Sequence, residues 1–68
     1  MMIVGERIKQ LRQERGLTQL DLAERLGVAQ PVVCRFERGH DMRLSTLQRI
    51  AEALGVSMVD LLDERKSK

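Results

Sequence analysis

The sequence predicts an all-α domain, a compact bundle of five short helices. Three observations carry this expectation. Apolar residues recur at helical spacing along the chain, and no strand-like alternation, internal repeat or low-complexity segment appears. Gly16, Gly27, Gly39 and Gly55 stand where successive helices would end. Between Gln19 and Arg38, Ala23, Gly27 and Val33 fall at the three positions where two short helices crossing at a sharp turn have least room. Leu22, Leu26, Val28 and Phe36 fill the inward positions around them.

Helix 1 is expected from Ile3 to Glu14, with Val4, Ile8 and Leu11 inward and Arg7, Lys9, Gln10 and Gln13 facing water. Glu6 near its start and Arg12 and Arg15 near its end suit the helix dipole. Gly16 closes it and Leu17 turns inward. Thr18 caps helix 2, with Asp21 three residues on completing a short capping box. Leu22, Ala23 and Leu26 form the inner face of this helix, and Leu20 points outward. Gly27 is suited to the left-handed conformation that ends it.

Helix 3 is expected from Gln30 to Arg38. Pro31 is tolerated in its first turn, where the missing N–H has no intrahelical partner. Ala29 is a poor N-cap, at a cost of about 1 kcal/mol of helix stability. Helix 4 is read from a capping box of Ser45 and Gln48, with Leu47, Ile50, Ala51 and Leu54 on one face and Gly55 at its close. Ser57 with Asp60 starts a short helix 5 carrying Val59, Leu61 and Leu62. The 68 residues make one domain, assigned to 1–63, followed by a charged, frayed tail over 64–68.

Composition excludes several function classes. Cys34 is the only cysteine, so no disulfide framework is available, and the chain is assigned to the cytoplasm. No apolar run approaches the roughly 18 residues that span a bilayer, and no secretory segment follows Met1. The net charge of +2 is a weak pointer to nucleic acid, but Arg35, Arg38, His40 and Arg43 cluster around helix 3 with Glu37 and Asp41 as the nearby acids. Phe36 is the only aromatic residue and is expected inside, which leaves no stacking platform for unpaired bases. The carboxylates are spread among basic residues without a pair suited to acid–base work, so an enzyme is not expected. His40 and Cys34 have no partners at zinc-ligand spacing, and neither a metal, a cofactor nor a small-molecule ligand is called for.

The Gln19–Arg38 pattern resembles the helix-turn-helix of the phage repressor and Cro type, the XRE-like regulators. The resemblance extends over about Ile3 to Leu62. It implies a lambda-repressor-like fold in which helices 2 and 3 form the helix-turn-helix and helix 3 lies in the DNA major groove. The implied function is sequence-specific binding of double-stranded DNA by a transcriptional regulator, a repressor acting as a dimer on a palindromic operator. Gln19, Arg38 and Arg43 match positions that hold phosphate in that family, and His40 is a phosphate neighbour. Gln30, Pro31, Val32 and Arg35 are the candidate base readers: Gln30 for adenine, Arg35 for guanine, Pro31 and Val32 for apolar contact with a thymine methyl. The family usually has a polar residue at the Pro31 position, so this chain has fewer polar readers, and either discrimination is modest or DNA shape contributes to it. The resemblance further implies a structural ion pair between Arg12 and Glu37.

Helix 5 offers Met58, Val59 and Leu62 as a dimer interface once Leu61 closes the core. Small phage repressors, restriction–modification controllers and antitoxins share the scaffold, and the segment HDMRLSTLQRIAEALG looks most like the regulators found beside toxin genes. The rival reading is an interaction module whose main partner is a protein such as a toxin, met through Leu20, Met58, Val59 and Leu62.

Overall fold

The computed structural model describes residues 4–63. Ile3, expected in the first helix, and the tail assigned to 64–68 lie outside them. The element order is α1 (Val4–Glu14), α2 (Gln19–Leu26), α3 (Gln30–Glu37), α4 (Leu44–Leu54) and α5 (Met58–Leu62). Helices α2 and α3 pack on each other, α1 packs on α3, α4 and α5, and α4 packs on α2 and α5. Among the described residues no helix is long and apolar enough to cross a membrane.

The helix ends follow from local chemistry. Thr18 Oγ1 accepts from the Asp21 N–H at 3.0 Å, and Asp21 Oδ2 accepts from the Thr18 N–H at 2.8 Å, which completes the capping box. Hydrogen bonds that the carboxylate accepts from Thr18, from its backbone N–H first and its side chain second, hold the Asp21 carboxyl below the usual carboxylate range. At the other end of α2, Gly27 adopts φ 72°, ψ 32°, and Val28 N–H donates back to the Ala23 carbonyl at 3.0 Å. That left-handed turn costs a residue with a Cβ steric strain. The same type of turn closes α1, α3 and α4 at Gly16, Gly39 and Gly55. Ala29 gives α3 no side-chain cap, whereas Ser57 Oγ accepts from the Asp60 N–H and starts α5.

One capping assignment is corrected. Ser45 and Gln48 do not bracket the start of α4. The helix begins two residues earlier than that box implies, at Leu44, with Arg43 as its N-cap and no side-chain capping bond. The Arg43 carbonyl already accepts from the Leu47 N–H at 3.0 Å, so Ser45 lies inside the first turn.

The core gathers Ile8, Leu11, Leu22, Ala23, Leu26, Val33, Phe36, Leu47, Ile50, Ala51, Leu54 and Leu61. Val4, Leu17, Val28 and Val32 pack partly buried against it. Leu20 stands exposed on the outer side of α2.

Arg7 corrects a second expectation, because it does not face water. It is buried, with Nε and Nη2 donating to the Asp60 carbonyl at 3.2 and 3.0 Å and Nη1 donating to Gln10 Oε1 at 2.9 Å. An arginine can occupy such a site because its stem packs on apolar surface while its planar fork satisfies a helix carbonyl. Two further arginines clamp α2 and α4 reciprocally. Arg25 Nη1 donates to the Ala53 carbonyl at 3.0 Å, and Arg49 Nη2 donates to the Leu26 carbonyl at 2.6 Å.

Gly5 fixes how α1 meets α3. A Cβ at this position would sit 2.5 Å from the Glu37 carbonyl oxygen and 2.9 Å from the Gly39 nitrogen, so the first turn of α1 rests directly on the end of α3. Helix propensity alone makes Gly5→Ala stabilising by about 0.5–1 kcal/mol. The close approach makes it destabilising by about 1–3 kcal/mol, measured as a lowered urea midpoint at constant slope. A raised midpoint contradicts the packing.

Candidate nucleic-acid interface

Helix α3 leaves one face in the core, through Val33 and Phe36, and turns Gln30, Pro31, Arg35 and Arg38 to solvent. Val32 is half-buried and shares its side chain with the core. Cys34 is a free thiol in an intermediate environment. His40 is exposed after the helix, its N–H bonded to the Arg35 carbonyl at 3.0 Å.

The end of α3 is tied into the domain by a buried ion pair. Arg12 Nε lies 2.7 Å from Glu37 Oε2, with side-chain exposures of 9% and 5%. Arg12 Nη2 donates to Glu37 Oε1 at 3.3 Å, and Nη1 donates to the Leu17 carbonyl at 2.7 Å. Desolvating both charges offsets much of their attraction, but with every edge of the guanidinium engaged, loss of either partner strands the other.

The network continues to the surface. Gln19 Nε2 donates to Glu37 Oε1 at 3.0 Å, and Gln19 Oε1 accepts from Gln30 Nε2. Because an ionised carboxylate only accepts, the Gln19 amide must turn its nitrogen toward Glu37 and its oxygen toward Gln30. Gln30 therefore keeps its own Oε1 and its second N–H for an outside partner. That donor–acceptor pair complements the N6–H and N7 edge of adenine. Gln19 also begins α2, where the first backbone N–H groups lack intrahelical acceptors and favour an anion.

The loop from Gly39 to Arg43 holds a feature that sequence reading missed. Asp41, in the left-handed region at φ 57°, forks onto Arg43: Nε to Oδ1 at 2.7 Å and Nη2 to Oδ2 at 3.3 Å. Thr46 Oγ1 donates to the same carboxylate at 3.3 Å. The Arg43 guanidinium holds the Asp41 carboxyl below its usual range, and Asp41 in turn raises Arg43. The i, i+2 spacing of Asp41 and Arg43 in a short loop was the available signal. Arg38 is exposed at the C-cap of α3.

On α5, Leu61 is fully buried, while Val59 and Leu62 are 71% and 46% exposed. Met58 departs from the expected open surface, since it is half-buried and packs against the core. Among the described residues no group of three or more His, Cys, Asp or Glu side chains is placed to hold a metal ion.

Comparison with known proteins places this geometry. Residues 8–61 match the helix-turn-helix family profile. The immunity repressor protein of Bacillus phage phi105 is 41% identical over 64 residues, covering 93% of this chain and 44% of the repressor. The transcriptional regulator SinR of Bacillus subtilis is 38% identical over 65 residues, covering 93% of this chain and 59% of SinR. This chain thus spans about half the length of those two relatives. A crystal structure of SinR, the master regulator for biofilm formation, in complex with DNA superposes with a TM-score of 0.77 at 36% identity, covering 90% of this chain and all of that one. SinR in its complex with SinI gives a TM-score of 0.75 at 38% identity, covering 94% of this chain and 64% of that one.

Arg12→Ala and Glu37→Ala should each cost about 3–5 kcal/mol, and a double-mutant cycle in urea should return a large favourable coupling energy. A coupling near zero contradicts a buried, mutually dependent pair.

Proposed function

This chain belongs to the helix-turn-helix family of DNA-binding transcriptional regulators, and from that premise we propose that it represses transcription by binding a palindromic operator as a symmetric dimer, with α3 in the major groove. The observation that carries this reading is the hydrogen-bonded series from Arg12 through Glu37 and Gln19 to Gln30. It runs from the core to the exposed start of α3 and leaves Gln30 with a free donor and acceptor. Gln30 and Arg35 read adenine and guanine edges, while Pro31 and the open part of Val32 meet a thymine methyl. Gln19, Arg38, His40 and Arg43 hold phosphates and set the register. Repression is favoured by the likeness to the phage immunity repressor.

A dimer follows from the modest reading power of one α3. Two copies can read half-sites about 34 Å apart on one face of the duplex. Val59 and Leu62, with the exposed edge of Met58, supply the apolar contact on α5. A second reading gives this surface, together with the exposed Leu20, to a different protein, as SinR is found with SinI.

Two experiments test the proposal. Duplex affinity should fall steeply with salt, each phosphate contact adding about 0.9 to the log–log slope. Arg35→Ala should relax selectivity at one base pair at a cost of about 1–3 kcal/mol, whereas Arg43→Ala should weaken the operator and its single-base variants alike. Equal losses on every duplex for both variants refute the division of roles. In sedimentation at micromolar protein, Leu62→Glu should convert a dimer to a monomer and weaken operator binding. A protein that is monomeric either way, with unchanged DNA affinity, refutes the α5 interface.

A further inference from the structure

We infer that Asp41 is a specificity-determining residue: its carboxylate clasps one edge of the Arg43 guanidinium, so that Arg43 pulls weakly on phosphates in general and grips well only where the register of α3 presents one to its other edge. The inference rests on the reading of Arg43 as a phosphate contact.

The clasp is side-on. Arg43 uses Nε and Nη2 for Asp41, and the outer edge formed by Nη1 and Nη2 remains available on a side chain that is 77% exposed. A planar fork can hold a carboxylate on one edge and a phosphate on another. Asp41 is also the only non-glycine residue with positive φ among the described residues. Its backbone strain is borne at a loop position that places the carboxylate within electrostatic reach of both Arg43 and Arg35. An ion pair this exposed adds little to stability, so folding does not account for the arrangement. Its larger consequence is for the electric field that meets the duplex.

Two kinds of complex respond differently to that field. Non-specific binding is almost wholly a matter of charge neutralisation, and a carboxylate among the cations opposes it directly. In a registered complex the same carboxylate holds the guanidinium in place, which limits the rotamer freedom lost on binding and offsets the repulsion. Asp41 therefore lowers affinity for wrong sequences more than for the right one.

Asp41→Asn tests this, since asparagine tolerates the left-handed backbone and still accepts from Thr46. An unchanged melting temperature establishes that the fold is intact. The probes are a duplex enriched by the protein from a random pool and a scrambled duplex of equal length. Affinity for the scrambled duplex should rise about threefold to fivefold, the size of one exposed charge pair, with a steeper salt slope. Affinity for the enriched duplex should change by less than about twofold, so the specificity ratio falls. In an Arg43→Ala background, Asp41→Asn should shift both duplexes by the same factor. With Arg43 intact, a shift of both duplexes by the same factor, or a loss on both, overturns the inference while leaving the phosphate reading intact. If Arg43→Ala by itself alters neither affinity nor salt slope, the phosphate reading fails and takes the inference with it.

Discussion

Glu37 sits in the last turn of α3, and its two carboxylate oxygens meet Arg12 from α1 and Gln19 from α2. Three helices thus converge on one buried acid. Gly5 makes the convergence possible, because any side chain there would push α1 away from the end of α3. The pair need not add net stability, since burying two charges in a domain this small is costly. What it supplies is register. A buried acid that must be satisfied by donors from two other helices admits few orientations of α3. The Gln19 amide inherits its orientation from Glu37, and Gln30 inherits its own from Gln19. Core packing and the chemistry at the start of α3 are thereby coupled through four side chains.

Arginine has two distinct tasks in this chain. A chain of 68 residues buries a limited core, and its elements need further ties. Arg7, Arg25 and Arg49 supply them by donating to backbone carbonyls of other helices, at Asp60, Ala53 and Leu26. Each satisfies a carbonyl at or near a helix end, and two of them lie at C-terminal ends, where the dipole favours a cation. Arg35, Arg38 and Arg43 remain exposed around α3 and its following loop. The net charge of +2 mixes these two groups, which is why it says little about nucleic acid until the residues are placed.

What could be read from the sequence was mainly what is local. Glycine turns, the Thr18–Asp21 box and the Ser57 cap involve residues within five positions of each other, and the apolar spacing located the helices and the core residues. The Ser45–Gln48 motif is present but unused, because the backbone enters α4 two residues earlier, with Arg43 as the N-cap and Ser45 already inside the first turn. Arg7 was misplaced because periodicity scores an arginine as polar, whereas its stem and fork suit a site between α1 and α5. Gly5 carries no local signal at all, since its role is contact with a segment more than thirty positions away. Met58 shows the limit of pattern on a five-residue helix, where one turn more or less decides which side chain meets the core.

If a core-anchored α3 reads duplex sequence, binding-site selection from a random duplex pool will recover that sequence. The pool should converge on one short sequence with two-fold symmetry, and it should lose information at the Gln30-read position when Gln30→Ala protein repeats the selection. A pool that stays random through successive rounds, with the protein folded throughout, would contradict that reading.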